Sequence, residues 1–168
     1  MLYIWLQFNY CTWFMENIII RKAVLKDLET LLSFEQALIN VERPFDSTLK
    51  SGHPHYYDIE KLITATHVEL VVAELEGEII GSGYARIEDA KPYLQHQQHA
   101  YLGFMFVVPQ QRGKGINKKI MDTLKAWSVS KNIAELRLDV YYKNESAIHA
   151  YEKAGFCKHM VEMRMGMK

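Results

Sequence analysis

The stretch VVPQQRGKGIN, residues 107–117, joins an apolar run to a lysine-rich helical pattern, and the order of those two patterns decides the fold class. Upstream, Ala100 to Val108 is apolar almost throughout, as expected of a strand covered on both faces. Downstream, Ile116, Ile120, Met121, Leu124 and Trp127 recur on one helical face while the lysines fall mainly elsewhere. A glycine loop therefore opens a helix directly after a buried strand. The first backbone N–H groups of such a helix lack intrahelical partners, and the helix dipole adds partial positive charge. Gly113 and Gly115 remove side chains where an anion would approach, and Arg112 and Lys114 add full charges. The spacing fits neither a Walker A loop nor a GxGxxG dinucleotide loop, so nucleotide hydrolysis and hydride transfer lose their main support. The competing structural reading is a plain turn that lets strand and helix pack closely.

Working outward, IIIRKA (18–23) reads as a short strand, and the segment from Lys26 to Glu42 places Leu28, Leu31, Leu32, Leu38 and Ile39 at mostly helical spacing. The run ERPFDSTLKSGHPHYYD (42–58) is a loop rich in turn formers, resuming as a short helix from Ile59 to Ile63. A loop of that length inside a domain is usually functional. Val68 to Leu75 and Ile79 to Ile87 form a hairpin around Glu76, Gly77 and Glu78. After the apolar strand and its helix, AELRLDVYY (134–142) alternates as a half-buried strand, and a helix begins at the N-cap Asn144 and stops at Gly155. A last strand is predicted from Phe156 to Met165. Strand, helix, loop, hairpin, strand, helix, strand, helix, strand describes one mixed α/β domain.

The chain of 168 residues balances 20 Lys plus Arg against 20 Asp plus Glu, which argues against holding nucleic acid or an anionic membrane by bulk charge. Nearly half the residues are hydrophobic, enough for one core and too many for a disordered chain. The two cysteines, Cys11 and Cys157, allow one disulfide at most, which fits a reducing compartment and a cytoplasmic protein. The first charged residue is Glu16. Residues 1–14 lack both a basic start with a cleavage site and the ~20 apolar residues of a membrane span. They read as an upstream extension of the reading frame, with an apolar arm that packs on the domain or a partner as the alternative; residues 15–168 form the domain.

The string VVPQQRGKGIN followed by Asn144-Glu-Ser-Ala-Ile-His-Ala-Tyr151-Glu-Lys-Ala-Gly155-Phe156 resembles the GNAT acetyltransferase superfamily. In that family a pattern R/Q-x-x-G-x-G/A begins three residues after a strand-ending proline. Counted from Pro109, Arg112 is its first position, Gly115 its glycine and Asn117 its last, where Asn departs from Gly or Ala. The alternative register, Gln110, Gly113 and Gly115, sits at the wrong distance from the proline. The ending, an Asn, six intervening residues, a Tyr and then Glu-Lys-x-Gly-Phe, places Asn144 and Tyr151 two turns apart on one helix. The resemblance runs from Asn17 to Met165. It implies a central, mostly antiparallel sheet flanked by helices, with a splayed parallel strand pair.

The same resemblance implies acetyl-CoA as co-substrate, bound where the strand Ala100 to Val108 splays from Leu136 to Tyr141. Met105, Phe106 and Val107 would pair with the pantetheine arm, and Arg112, Gly113, Lys114, Gly115, Ile116, Asn117 and Lys118 would hold the diphosphate, with Asn144 and Tyr151 reaching the same ligand. Tyr151 is implied as the general acid at the leaving sulfur, a closing core tyrosine being its bland alternative. For the base, AYLGFMFVV offers no carboxylate. Asp139, in the place of the glutamate base of ribosomal-protein N-terminal acetyltransferases, is the candidate; a structural ion pair or an exposed strand carboxylate is the alternative. The acceptor, a small-molecule or peptide amine, would meet Glu42, Arg43, Asp46, His53, His55, Tyr56 and Tyr57. His96 and His99 together with His53 and His55 lack a completing ligand pattern, so no metal is expected. A homodimer is compatible with the resemblance. A degenerate module that binds acyl-CoA as a sensor is the alternative function.

Overall fold

The hairpin read from residues 68–87 forms the middle of a five-stranded sheet. The computed structural model describes residues 17–167. Its elements are β1 (Ile19–Lys22), α1 (Leu28–Glu42), α2 (Ile59–Thr64), β2 (Val68–Leu75), β3 (Glu78–Asp89), β4 (Gln98–Val107), α3 (Ile116–Ser130), β5 (Leu136–Arg137) and α4 (Glu145–Lys153). The sheet order is β1-β2-β3-β4-β5. The first four strands pair antiparallel and β5 joins β4 in parallel. The β2–β3 turn has positive φ at both Glu76 and Gly77, the primed geometry that matches strand twist in a two-residue hairpin.

Alternation along β2 explains why both faces of the sheet are covered. Val71 and Ala73 face α3, where they pack with Ile116, Ile120 and Leu124. Leu70 and Val72 face α1 and α2, where Leu31, Phe34, Ile59, Leu62 and Ile63 complete a second core with Tyr84, Phe104 and Phe106. β4 lies between both layers, which is why its sequence is apolar at consecutive positions.

Two departures from the predicted elements shape the site. Only Leu136 and Arg137 of the predicted strand 134–142 pair with β4, opposite Ala100 and Tyr101. Beyond them the two chains diverge: Leu138 to Tyr141 have no ladder partner, and the predicted alternation lapses, with Asp139 and Val140 both exposed and Tyr141 half-buried. The predicted last strand, Phe156 to Met165, does not form. Its alternating pattern is real, but no neighbouring strand offers hydrogen bonds, and an isolated strand is not stable in water. Phe156 packs on the first core, while Met160, Val161, Met163, Met165 and Met167 are 82–90% exposed. The proposed extension at residues 1–14 lies outside the described residues. Among the described residues no helix is long and apolar enough to cross a membrane.

Candidate active site

β4 carries a defect shortly after the point where β5 leaves it at Tyr101. The β3–β4 register shifts between Ser82 and Tyr84, where two β4 residues, Phe104 and Met105, stand opposite Gly83 alone. Phe104 takes φ 54°, uncommon for a bulky residue and typical of a bulge that bends its strand. The Ser82 hydroxyl ties the bulge down by donating to the Phe104 carbonyl at 3.1 Å. After the bulge, Phe106 and Val107 pair with β3 on one side and have no strand on the β5 side. That open edge is a template for an extended ligand to add as a strand, the role expected of Met105, Phe106 and Val107.

The glycine loop follows. A 3-10 turn spans Pro109–Gln111, then Gly113 (φ 76°) and Gly115 (φ 79°) both adopt the left-handed conformation that only glycine takes without strain. Nothing lies within 4 Å of where a Cβ on Gly113 would project, so the backbone there faces open space. Gly115 is the N-cap of α3 and no side chain caps that end, which leaves the first-turn amides of Ile116, Asn117 and Lys118 to other partners. Arg112 donates from Nε to the Val107 carbonyl at 3.0 Å, locking the loop to the end of β4. Lys114 donates to Gln111 at 2.7 Å and Lys118 pairs with Asp122 at 2.7 Å. Lys119 reaches back to the Ile18 carbonyl at 3.4 Å, toward β1 and away from the loop. An anion cradle of backbone amides with exposed flanking cations fits a diphosphate.

Asn144 and Tyr151 open and close α4. The Asn144 carbonyl oxygen accepts from the Ala147 amide at 3.2 Å, so it is the N-cap predicted, and its NH2 is left to face outward. At the other end Phe156 N–H donates to Tyr151 O at 3.0 Å and Gly155 N–H to Glu152 O at 3.0 Å, with Gly155 at φ 99°. This is the full Schellman arrangement, and its characteristic apolar contact is Tyr151 against Phe156, ring centroids 6.0 Å apart. The Tyr-Glu-Lys-Ala-Gly-Phe string is thus a device that fixes the Tyr151 ring. Among the described residues no group hydrogen-bonds its hydroxyl. Burial, with the charge of Glu42, pushes its pKa up to about 12, so the phenol keeps its proton.

The charge that Tyr151 senses comes from α1, not from Asp139. Glu42 is the last residue of α1, half-buried, and its carboxyl is raised from the usual range by burial. It acts electrostatically on Tyr56, Tyr57, Tyr141 and Tyr151. Asp139 is exposed and accepts a hydrogen bond from the Tyr101 hydroxyl at 3.0 Å; burial, then Asp139, raise the Tyr101 phenol well above the ordinary range. Asp139 thus faces β4 through Tyr101, with no ion pair to Arg137, which bonds Glu135 instead.

The loop 43–58 is pinned at both ends. Glu35, fully buried on α1, accepts from the amides of Tyr56 (2.7 Å) and Tyr57 (2.8 Å) and pairs with His55 Nδ1 (2.7 Å). Arg43 donates to the carbonyls of Lys50 (2.9 Å) and Gly52 (2.7 Å). Phe45 stacks on Tyr141 at 6.0 Å, and Asp46 takes Arg164 at 3.1 Å. The four loop histidines separate. His53 and His55 sit on α1 through Gln36 and Glu35, whereas His96 contacts Glu135 at 3.1 Å and His99 Glu88 at 3.6 Å. Glu35, Tyr101 and Tyr141 were not singled out from the sequence. Glu35 sits on the apolar face of α1, and the two tyrosines gain meaning only where β4 and β5 part.

The profile of the acetyltransferase (GNAT) family matches residues 36–156. The chain belongs to that family and is a GNAT-family acetyltransferase. It is 28% identical over 145 residues to the N-alpha-acetyltransferase of Sulfolobus acidocaldarius, covering 83% of this chain and 80% of that one. It is 26% identical over 115 residues to the aminoglycoside N(6')-acetyltransferase type 1 of Salmonella typhimurium, covering 62% of this chain and 75% of that one. Its fold matches the solved structure of AAC(6')-Iy in complex with a bisubstrate analogue, CoA-S-monomethyl-acetylneamine, with a TM-score of 0.68 at 22% identity over 90% of this chain and 98% of that one. The mostly antiparallel sheet with its parallel β4–β5 pair and flanking helices is the fold the sequence resemblance implied.

Proposed function

We propose that the chain transfers the acetyl group of acetyl-CoA to a primary amine of a small molecule or peptide by direct attack. Acetyl-CoA supplies an activated thioester. The observation that carries this reading is the Tyr151 phenol, protonated, with no hydrogen-bond partner among the described residues and fixed by the helix-ending motif of α4. In the reaction the amine lone pair forms the C–N bond, the C–S electron pair leaves on sulfur, the nitrogen gives up one proton and the thiolate takes one. With a pKa of about 12, Tyr151 is a weaker acid than an ordinary thiol near 8.5, so it stabilises the thiolate mainly by donating a hydrogen bond. Asp139, acting with Tyr101, is the proton acceptor in this reading.

The glycine loop from Arg112 through Lys118 would hold the diphosphate, supported by the open space at Gly113 and the uncapped start of α3. Met105, Phe106 and Val107 would pair with the pantetheine arm along the free edge of β4, and Asn144 would add its NH2. A cytoplasmic location accords with the exposed free thiol of Cys157. A homodimer belongs to the same reading, and the exposed apolar residues from Met160 to Met167 support it. Release of free thiol from acetyl-CoA, measured against monoamines, polyamines, aminoglycosides and peptide N-termini, tests the activity. Acceptor-dependent release is expected. Tight acetyl-CoA binding with no release across the panel would favour the sensor reading, and failure to bind CoA at all would sink both.

A further inference from the structure

Glu42 ends α1 half-buried, and its surroundings are unusual for a carboxylate. Among the described residues it forms no ion pair with a Lys, Arg or His. The two nearby arginines are committed elsewhere, Arg43 to the Lys50 and Gly52 carbonyls and Arg164 to Asp46. What surrounds Glu42 instead is phenol, from Tyr56, Tyr141 and Tyr151. The Tyr56 hydroxyl is buried and adjoins Glu42 and Tyr141, yet neither meets it in full hydrogen-bonding geometry. Backbone anchoring of Tyr56 on buried Glu35 prevents it from swinging out to water. A half-buried carboxylate with no cation among the described residues and a buried hydroxyl imperfectly bonded beside it both carry a desolvation cost, and one ligand ammonium relieves both. Aromatic faces around it add cation–π attraction.

Which nitrogen occupies the place follows from the chemistry. The attacking amine must be neutral, and in the reading above its proton already has an acceptor in Asp139. Glu42 is therefore suited to a charge that does not react. Resting on the acetyltransferase reading above, we propose that Glu42 and the hydroxyl of Tyr56, within the walls of Tyr141 and Tyr151, form a subsite for a second ammonium group, so that the acceptor is a small di- or polyamine. One nitrogen is held at Glu42 while another is acetylated near Tyr151.

The test compares spermidine with n-butylamine on the full chain, by calorimetric binding and by thiol release with acetyl-CoA. The wild-type protein is expected to favour spermidine in kcat/KM by about 10- to 100-fold, the size of a charge-assisted hydrogen bond. Glu42→Gln should collapse that ratio toward one, with the loss falling on KM, and Glu42→Asp should restore part of it. Tyr56→Phe, which keeps the carboxylate, should weaken spermidine binding several-fold and thereby tests the subsite if Glu42→Gln fails to fold. Equal loss for both amines in Glu42→Gln, or a wild type that prefers a peptide N-terminus to spermidine, would overturn the proposal. If no amine is acetylated, the activity reading fails, while Glu42-dependent spermidine binding still decides the subsite.

Discussion

Tyr151 owes its position to its own backbone. Its carbonyl accepts from Phe156 N–H and its ring rests on the Phe156 ring, so the residue that matches the family tyrosine is held by the same string that ends its helix. Tyr151→Phe keeps that packing and removes only the hydroxyl; kcat is expected to fall by about 10²-fold or more with acetyl-CoA binding unchanged. Because the raised pKa keeps the phenol protonated below about 12, Tyr151 should impose no loss of rate up to pH 10. An alkaline limb below pH 10 that disappears in Tyr151→Phe would contradict this. Asp139 is exposed and takes a hydrogen bond from Tyr101. As the proton acceptor, Asp139→Asn should lose about two decades or more in rate. A rate within a few-fold of wild type would pass the proton to water or a backbone carbonyl instead.

At the scale of elements, the loop 43–58 depends on one buried carboxylate. Glu35 holds two successive amides of the loop and so sets where Tyr56 and Tyr57 stand. Tyr57 in turn packs edge-on to Tyr84 (5.7 Å) and against the bulged Phe104 (5.1 Å), linking the loop to β3 and β4. Glu35→Gln replaces charge-assisted acceptance by a weaker one and is expected to cost about 1.5–3 kcal/mol in a denaturant titration. It should also raise KM for the amine while leaving acetyl-CoA binding as it was, since the glycine loop lies on the other side of the sheet edge. The reverse pattern, weaker acetyl-CoA binding with the amine unaffected, would contradict the loop's assignment to the acceptor. The bulge at Phe104 and Met105 is the second element-scale device. Without the extra residue β4 would continue alongside β5, and the free edge at Phe106 and Val107 would be paired.

Across the whole molecule, the neutral total conceals a division of labour. Cations cluster at the start of α3, while Glu42, with no ion pair among the described residues, stands among phenols at the end of α1. The segment after Gly155 remains the open end of the architecture, with alternating Val161, Met163, Met165 and Met167 exposed and a single ion pair, Arg164 to Asp46, tethering it to the acceptor loop. If these residues seat on a second copy, sedimentation should report a dimer that Met163→Lys with Met165→Lys dissociates. A monomer at high protein concentration would remove the homodimer from the proposed function.

The order of elements, the hairpin, the glycine-opened helix and the Asn144 to Phe156 string were legible in the sequence because each is written in contiguous residues: periodicity, turn chemistry and caps are local properties. Asn144, Gly113, Gly115 and Gly155 took the conformations their positions required. What escaped was everything that depends on two elements meeting or failing to meet. The predicted last strand fails because alternation specifies a strand only when a partner edge exists, and β5 is shorter than predicted because its ladder with β4 ends at Tyr101 and Arg137. Likewise, Glu42 was one of several polar residues in a loop until the end of α1 met α4 and the segment after β5. The sequence alone determined the glycine loop and the ends of α4, through short-range patterns. Tertiary structure alone decided the surroundings of Glu42 and Glu35, because a carboxylate's neighbours are set by contacts between residues far apart in the chain.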